Sequence, residues 1–538
     1  MSHRATATPT PTGIASNTAI VFSANLAQML IGFAATALIA ALFGSAPAVD
    51  AFFIALPLPI LVGQYTLSLT LLSLTPYYQR VCEHDGRERA QRRLAPLFWA
   101  ALALAGVLGG ALAFAATGAA RVLAPGFDPP RLALLAENIR WAALAMPFLA
   151  GTNFLQAIAN ANQRFTRPAF ARPLMTALAC AVLLLFLQGD SLNGYFWGLA
   201  LGAALGFLWQ LAEVRSFGPW PLTLRGFGET WRAVRGSLGW LALARGLGQS
   251  SEIALQMIAS LGAAGSVAAY AFGFKIAAIP LMLAVSLGVV LFPRQSAARV
   301  TGDNSAERRL LWRGVNALAL LGALFGVFFF LWSEQIVTLL YERGDFNAAL
   351  SETVGLTVRV FALALGAAAI NNAIANSYWA SGRLKERIAL EALAIIVLLT
   401  VSLALVRDYG APALALAYGL QFVILSGAGL WRLSGAGLWR ELTPAVKITG
   451  AAVGCALVLW PLVPQPDHFR ALTAIWRVLW LLGWGAGLTA LFTASLYLAG
   501  IQEVRDLIGR LRGGENHTDP SPDSPAIQQP NTERASNY

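Results

Sequence analysis

TAIVFSANLAQMLIGFAATALIAALF, Thr18–Phe43, carries no charged residue and no proline. About 20 consecutive apolar residues are needed for a helix to cross the hydrocarbon core of a bilayer, and this run exceeds that length. Lipid offers no partner to a backbone N–H or C=O, so such a run satisfies itself only as a helix. The same kind of run recurs at Ala51–Gln79, Ala95–Ala120 and Trp141–Gln163. Continued along the chain, the pattern places spans near 18–43, 51–79, 95–120, 141–163, 173–189, 191–212, 236–261, 266–293, 314–333, 353–382, 388–406, 410–431, 448–466 and 478–502. The expected fold class is an all-α polytopic membrane protein of about fourteen transmembrane helices.

Composition agrees. Of 538 residues, 57% are hydrophobic and 12% charged, against roughly 25% charged in a soluble domain. The short alternating segments of a membrane barrel are absent. Residues 1–17 are rich in Ser, Thr and Pro, and the first apolar run is too long for the core of a cleavable signal, so it is expected to remain as the first span.

The net charge of +11 raises the question of nucleic acid, and the position of the charge answers it. Arginines such as Arg87, Arg89, Arg92 and Arg93 sit between apolar runs, without the aromatic-basic patch of a nucleic-acid module. They are topology determinants. Every even-to-odd connection is basic: Arg80 to Arg93; Arg164, Arg167 and Arg172; Arg215 to Arg235; Arg294 to Arg313; Arg383, Lys385 and Arg387; Arg432 to Lys447. The odd-to-even connections GSAPAV, GDSLNG and GAAG hold no positive charge. Both termini are therefore expected in the cytoplasm of a bacterial cell, with the multi-pass chain in its inner membrane. The Asn-, Asp-, Pro- and Ser-rich tail is expected to be disordered.

An internal repeat organises the chain. AIAN at Ala157–Asn160 returns at Ala373–Asn376, 216 residues on, each time before a basic loop. Pro76 in LTPYYQR and Pro293 in LFPRQSA are 217 apart, and LAPGF (123–127) has a looser counterpart in LYERGDF (340–346). Six spans separate the copies, so both halves share one orientation. Parallel repeats of this kind place a transporter's substrate site between the halves. The expected division is a cytoplasmic segment 1–17, an N-lobe 18–220, a C-lobe 221–440, two added helices within 441–502, and a tail 503–538.

Several activities lose support. Cys82, Cys180 and Cys455 are scattered, with neither a disulfide framework nor metal-ligand spacing. His3, His84, His468 and His517 lie outside the spans or at their margins. No GxxxxGK[ST] loop and no Ser/His/Asp or paired-carboxylate constellation occurs, so no enzyme, metal or cofactor is expected.

FGSAPAVDAFFIALPLPIL (43–61), LAPGF (123–127), AIANANQRFTRPAF (157–170), AGSVAAYAFGFKIAAIPLMLAVSLGVVLFPRQS (264–296) and LYERGDF (340–346) together resemble the MurJ/MviN-type lipid II flippases of the multidrug/oligosaccharidyl-lipid/polysaccharide exporter superfamily. The resemblance runs from about residue 18 to residue 440. It implies a V-shaped pair of six-helix lobes, a central cationic cavity, and a groove for the lipid tail formed by the last two spans. It also implies transport of an undecaprenyl-diphosphate-linked saccharide, lipid II by default, by alternating access. Family members carry arginines in the first span, in a pattern like SRxLGFxRD; here Met29, Ala35 and Thr36 stand at those positions. A basic pair after the proline of the second span is replaced by Gly63 and Gln64. Asp50 keeps the aspartate of the ADAFF motif, and Lys275 meets the basic position of the eighth span, with Phe274 in place of its acidic neighbour.

Moving a diphosphate through hydrocarbon needs a polar compartment with cations on its walls. Charges at membrane depth cost about 2.5–3.5 kcal/mol each on insertion scales, so they should face a cavity or a partner. The expected substrate-binding set is Lys275, Arg245, Glu252, Asp50 and Arg359. Arg245 and Glu252 are seven apart, two turns along nearly one helix face. Asp50 has a second reading as a cap of the second helix, Arg359 as a snorkelling side chain, and either Asp50 or Glu252 as the ligand of a coupling cation. Asn153, Gln156, Asn160, Asn371, Asn372 and Asn376 read first as interhelical hydrogen-bonders. Partners expected are the lipid-linked glycan and membrane lipids. The rival readings are an exopolysaccharide-lipid flippase, a multidrug-type exporter of the same superfamily, and a non-transporting scaffold for envelope assembly.

Overall fold

The computed structural model describes residues 11–44, 46–186, 192–300, 304–434, 438–501 and 504–505; the side chains of 11–18, 72, 237–250, 286–294, 296–300, 304, 384 and 440 lie outside that description. The expectations for segments 1–10 and 506–538 fall on residues that are not described. Among the described residues every regular element is a helix. In order these are α1 (Pro11–Phe43), α2 (Pro47–Ala55), α3 (Pro57–Leu69), α4 (Thr75–Asp85), α5 (Arg87–Phe114), α6 (Ala116–Leu123), α7 (Pro129–Ala161), α8 (Thr166–Leu185), α9 (Asn193–Arg215) and α10 (Phe227–Ala259). There follow α11 (Ser266–Val300), α12 (Asn304–Leu340), α13 (Ala348–Ala362), α14 (Leu365–Ala380), α15 (Leu384–Tyr409), α16 (Ala411–Ser434), α17 (Leu438–Leu459), α18 (Pro466–Arg470) and α19 (Ala474–Leu498).

Twelve of the described helices are long and apolar enough to cross a membrane, and α13 with α14, bent by 48°, makes a thirteenth. The expected seventh span lies on α10, a helix of 33 residues, about 50 Å long at 1.5 Å per residue. The fourteen-span expectation is thus close, and two spans are less regular than the hydropathy suggests. The second is interrupted at Leu56, before Pro57, and again by a π-turn at Thr70–Leu74. Pro76 follows that turn; its ring needs room over the preceding turn and it supplies no N–H, which the wider turn accommodates. The tenth breaks at Leu363–Ala364, just before Gly366 lies directly against Gly322 of α12. A Cβ on Gly322 would sit 2.6 Å from the Gly366 Cα, so the close crossing of these helices requires a small residue there.

Packing order repeats along the chain. α1 packs on α8, α3 and α5 on α7, and α7 and α8 on α9; α10 packs on α15, α11 and α12 on α14, and α14 and α15 on α16. The loosely matched loop motifs share a function as well. LAPGF leads into Asp128, whose Oδ1 accepts from the Arg131 N–H at 3.3 Å to cap α7. LYERGDF leads into Asn347, whose Oδ1 accepts from the Leu350 N–H at 3.0 Å to cap α13. Each cap satisfies an orphan donor at a helix start. The outer surface is apolar, with Leu104, Val107, Phe114, Leu185 and Leu457 all well exposed, as lipid rather than water as solvent requires.

α17 and α19 pack against each other and against α12. Their connection is fixed by Arg470, which meets Glu334 at 3.1 Å, Glu342 at 3.0 Å and Asp467 at 3.2 Å. Burial acts to raise the Glu342 carboxyl, but the hydroxyl and guanidinium donors around it outweigh burial and hold it below its ordinary 4.5. A depressed carboxyl contributes stability above its unfolded pKa, and that contribution is lost as pH falls through the folded value. Arg470→Ala is expected to lower stability by about 2 kcal/mol. Melting the purified chain from pH 7 down to pH 3 should show the wild-type advantage over this variant shrinking at the acid end; a pH-independent difference would remove Glu342 from the clasp.

Candidate functional site

The charge-poor GAAG connection (262–265) lies against the start of α2, and there the two halves meet in close contact. Asp50, the fourth residue of α2, is 1% exposed. Its Oδ2 accepts from the Gly265 N–H and its Oδ1 from the Ala268 N–H, both at 2.8 Å. Asp50 therefore caps a helix, but not its own: α2 has no side-chain cap, and the carboxylate instead holds the first turn of α11, 215 residues further on. A carboxylate is favoured there by the unpaired N–H groups and the positive end of the helix dipole. Arg131 stands 3.9 Å from the same oxygen. With both oxygens engaged and the group buried, Asp50 joins the two halves rather than lining a cavity, a correction to its expected place in a substrate-binding set.

Two glycine loops complete this seal. Asp345 N–H donates to Ala41 O at 3.0 Å, and a Cβ on Gly344 would lie 2.1 Å from Ala41 O. Gly126 N–H reaches Ser260 Oγ at 3.4 Å, and a Cβ on Gly126 would lie 2.1 Å from Ser260 O. Each motif thus docks on the end of the other half's first helix, α1 or α10. Behind the loops lies a layer of rings: Phe53 against Phe272 at 5.2 Å, Phe272 against Tyr341 at 5.2 Å, and Phe33 stacked on Tyr341 at 5.5 Å.

Below Phe52 and Phe53 a cavity of about 220 Å³ opens among α1, α3, α7, α8 and α9, with Lys275 of α11 closing its far wall. Lys275 is exposed to that space, and its Nζ lies against α1, where a Cβ on Gly32 would be 3.7 Å away. Gln28, Thr36, Gln64, Asn153 and Thr176 supply neutral polar groups, and Ala35 and Gly202 supply room. The lining contains two cations, Lys275 and Arg172, and no carboxylate among the described residues.

Arg172 departs from expectation. The Lys/Arg tally assigns it to a loop, whereas it lies inside α8, where its Nη2 donates to Asn153 Oδ1 at 2.9 Å. Glu252 is exposed on α10 within the field of Lys275, and the described ion pairs do not join them. Arg245 is on the same helix, but its side chain lies outside the described residues. Arg359 is half-buried on α13, over the Trp460 ring at 5.9 Å, and is not among the residues lining the cavity. Asn153 and Asn371 do bond between helices as expected, to Arg172 and Arg387.

The family model described as "Lipid II flippase MurJ" matches residues 39–461. The chain belongs to the lipid II flippase MurJ family. It is 25% identical over 423 residues to a "Probable lipid II flippase MurJ" of Rhizobium tropici, covering 74% of this chain and 76% of that one. It is 24% identical over 411 residues to the lipid II flippase MurJ of Burkholderia cenocepacia, covering 73% and 79%. Among solved structures, a lipid II flippase MurJ in an inward closed conformation superimposes with a TM-score of 0.77 at 16% identity, over 91% of this chain and 99% of that one. An inward-facing multidrug resistance MATE family transporter of the MOP superfamily gives 0.62 at 14% identity, over 77% and 96%. At these identities the structural likeness speaks for the fold. The family membership also makes the chain a multi-pass inner-membrane protein.

The seal yields a test. Asp50→Asn keeps the shape but presents an amide donor where an acceptor is needed, so it should cost the closed end about 2 kcal/mol, roughly a 30-fold shift in population. Spin labels at Val122 and Ala349, exposed on opposite halves at this end, should report a longer distance in Asp50→Asn and in Gly126→Ala than in the parent. Unchanged distances would show that these contacts do not hold the end shut.

Proposed function

We propose that this chain moves lipid II, the undecaprenyl-diphosphate-linked precursor of peptidoglycan, across the inner membrane by alternating access between an N-lobe of residues 18–220 and a C-lobe of residues 221–440. The observation that carries the reading is a membrane-depth cavity holding Lys275 and Arg172 with no carboxylate in its described lining. An anion entering it meets cationic donors in place of water, which lowers the desolvation cost that bars a diphosphate from hydrocarbon. No bond is made or broken, so the protein acts as a carrier and not a catalyst. Family membership favours this reading over the exopolysaccharide, multidrug and scaffold alternatives.

The remaining parts fit the same cycle. The charge-poor end faces outward and both termini face the cytoplasm, on the positive-inside rule. The Asp50 and glycine contacts then form the outer gate, shut while the head group enters from the cytoplasm. Outward movement of an anion is favoured by about 2.3 kcal/mol per charge per 100 mV with the interior negative. Because both oxygens of Asp50 are occupied, Glu252 is the better placed of the two carboxylates to bind a coupling cation. The prenyl tail lies in an apolar groove of about 550 Å³ walled by α12, α13, α14, α16 and α17, among them Gly322, Gly366, Ala452 and Trp460. The described walls include α17 but not α19, so the first of the two added helices makes the groove.

The chain should restore growth of a bacterium depleted of its own lipid II flippase, and Lys275→Gln should fail to do so while reaching the membrane in normal amount. Failure of the parent chain to complement, despite normal membrane levels, would overturn the lipid II assignment.

A further inference from the structure

An Asn–Arg pair occurs twice in this structure, and the two copies end differently. In the second half, Arg387 Nη1 donates to Asn371 Oδ1 at 2.9 Å, and its Nε meets Glu391 Oε1 at 2.8 Å. Arg387 is 5% exposed; its charge is neutralised one helical turn away on its own helix, and it is a structural group. In the first half, Arg172 makes the same bond to Asn153, also at 2.9 Å. One turn on from Arg172 stands Thr176, not a carboxylate. Thr176 accepts from Gln28 Nε2 at 3.3 Å and donates to Arg172 O at 3.2 Å. The described ion pairs include none with Arg172, and its side chain lines the cavity.

We infer that Arg172, aimed by Asn153, is a phosphate-binding residue of the cavity that Lys275 also lines. The second pair offers a comparison within the chain, although the asparagines are 218 and the arginines 215 residues apart, against 216 for the AIAN repeat: where the pair is purely structural the chain supplies a counter-charge, and where it faces the cavity none is supplied. A guanidinium has five N–H donors in a planar fork suited to phosphate oxygens. Asn153 uses one of them, and Asn153 is itself fixed by donating to Leu149 O at 2.8 Å. Gly63 of α3 packs directly on that amide, and a Cβ there would lie 2.6 Å from Asn153 Nδ2, so the absence of a side chain at 63 is part of the arrangement. A charged arginine this far inside α8 without a counter-ion is costly, and a bound phosphate removes that cost. The ligand class is a phosphate or diphosphate ester. The inference rests on the lipid-diphosphate reading above and adds its second anchoring cation.

The test installs the chemistry of the second pair. Thr176→Glu places a carboxylate one turn from Arg172, as Glu391 stands to Arg387, and quenches the charge without deleting the side chain. Thr176→Gln carries similar bulk without charge. Binding of undecaprenyl diphosphate, uncharged undecaprenol and inorganic pyrophosphate is measured on the purified full chain in lipid nanodiscs, together with the melting temperature.

Thr176→Glu and Arg172→Gln are expected to weaken undecaprenyl diphosphate binding by roughly 10- to 100-fold. Thr176→Glu and Thr176→Gln share bulk at a buried position, so undecaprenol binding and the melting temperature should change alike in both, and Thr176→Gln should weaken undecaprenyl diphosphate binding much less than Thr176→Glu. Competition by pyrophosphate that Thr176→Glu abolishes would place recognition on the phosphate and support the inference. Parent-like binding in both Thr176→Glu and Arg172→Gln would overturn it, as would equal losses in Thr176→Glu and Thr176→Gln beside normal binding in Arg172→Gln. If Lys275→Gln loses diphosphate binding while the Arg172 and Thr176 variants keep it, this inference alone falls. If all of them keep it, the diphosphate reading of the cavity falls with it.

Discussion

A charge carried into hydrocarbon must find a counter-charge, a set of hydrogen-bond donors or acceptors, or water, because isolation there costs several kcal/mol. That constraint accounts for the placement of the membrane-depth ions in this chain. Asp50 is met by two backbone N–H groups at the start of α11. Arg387 is met by Asn371 and Glu391. Lys275 and Arg172 alone among these are left facing a cavity. Asp50 and Arg387 are thus paired within the protein, whereas Lys275 and Arg172 face the hollow.

The same constraint makes the contact between the halves directional. Asp50 cannot separate from α11 without leaving either a buried carboxylate or a bare helix start, unless water reaches both. The seal is satisfied by backbone donors as it stands, and parting it would require solvent to take their place. The glycine loops add a steric condition. Gly126 and Gly344 approach the opposite half so closely that a methyl group would displace backbone, which packed helix ends do not absorb gradually. Polar satisfaction and close packing thus favour one discrete arrangement of this end over a continuum.

Much of the fold was legible because its cause is one-dimensional. Uncharged runs of bilayer length report spans, and arginines between them report loops, so the helical class and the near-fourteen count follow from the order of residues. What was not legible depends on partners distant in sequence. Asp50 reads as a cap for α2 because the sequence shows its nearest helix start, not the α11 start that folding brings to it. Arg172 reads as a loop cation because it follows Arg164 and Arg167 and precedes Pro173. Its helical environment is set by Asn153, nineteen residues away on another helix. The Glu at 391 and the Thr at 176, each four residues after its arginine, distinguish the two Asn–Arg pairs, but only once the structure shows that each arginine is bonded to an asparagine.

The cavity's asymmetry is then a consequence of repeat architecture. The two halves share a packing order, but their Asn–Arg pairs differ in the residue one turn after the arginine. Here the difference lies in few residues. The C-lobe contributes Lys275 across the interface to α1 and neutralises Arg387 within its own bundle; the N-lobe leaves Arg172 unneutralised and clears space around it with Gly63, Ala35 and Gly202. The uncharged Ala35 and Thr36 on the first span fit this arrangement. A cation projecting from α1 would stand close to Lys275, whose Nζ already occupies the surface of Gly32, and like charges at that separation repel in a medium that screens poorly. Positive charge in the cavity is instead supplied from α8 and α11.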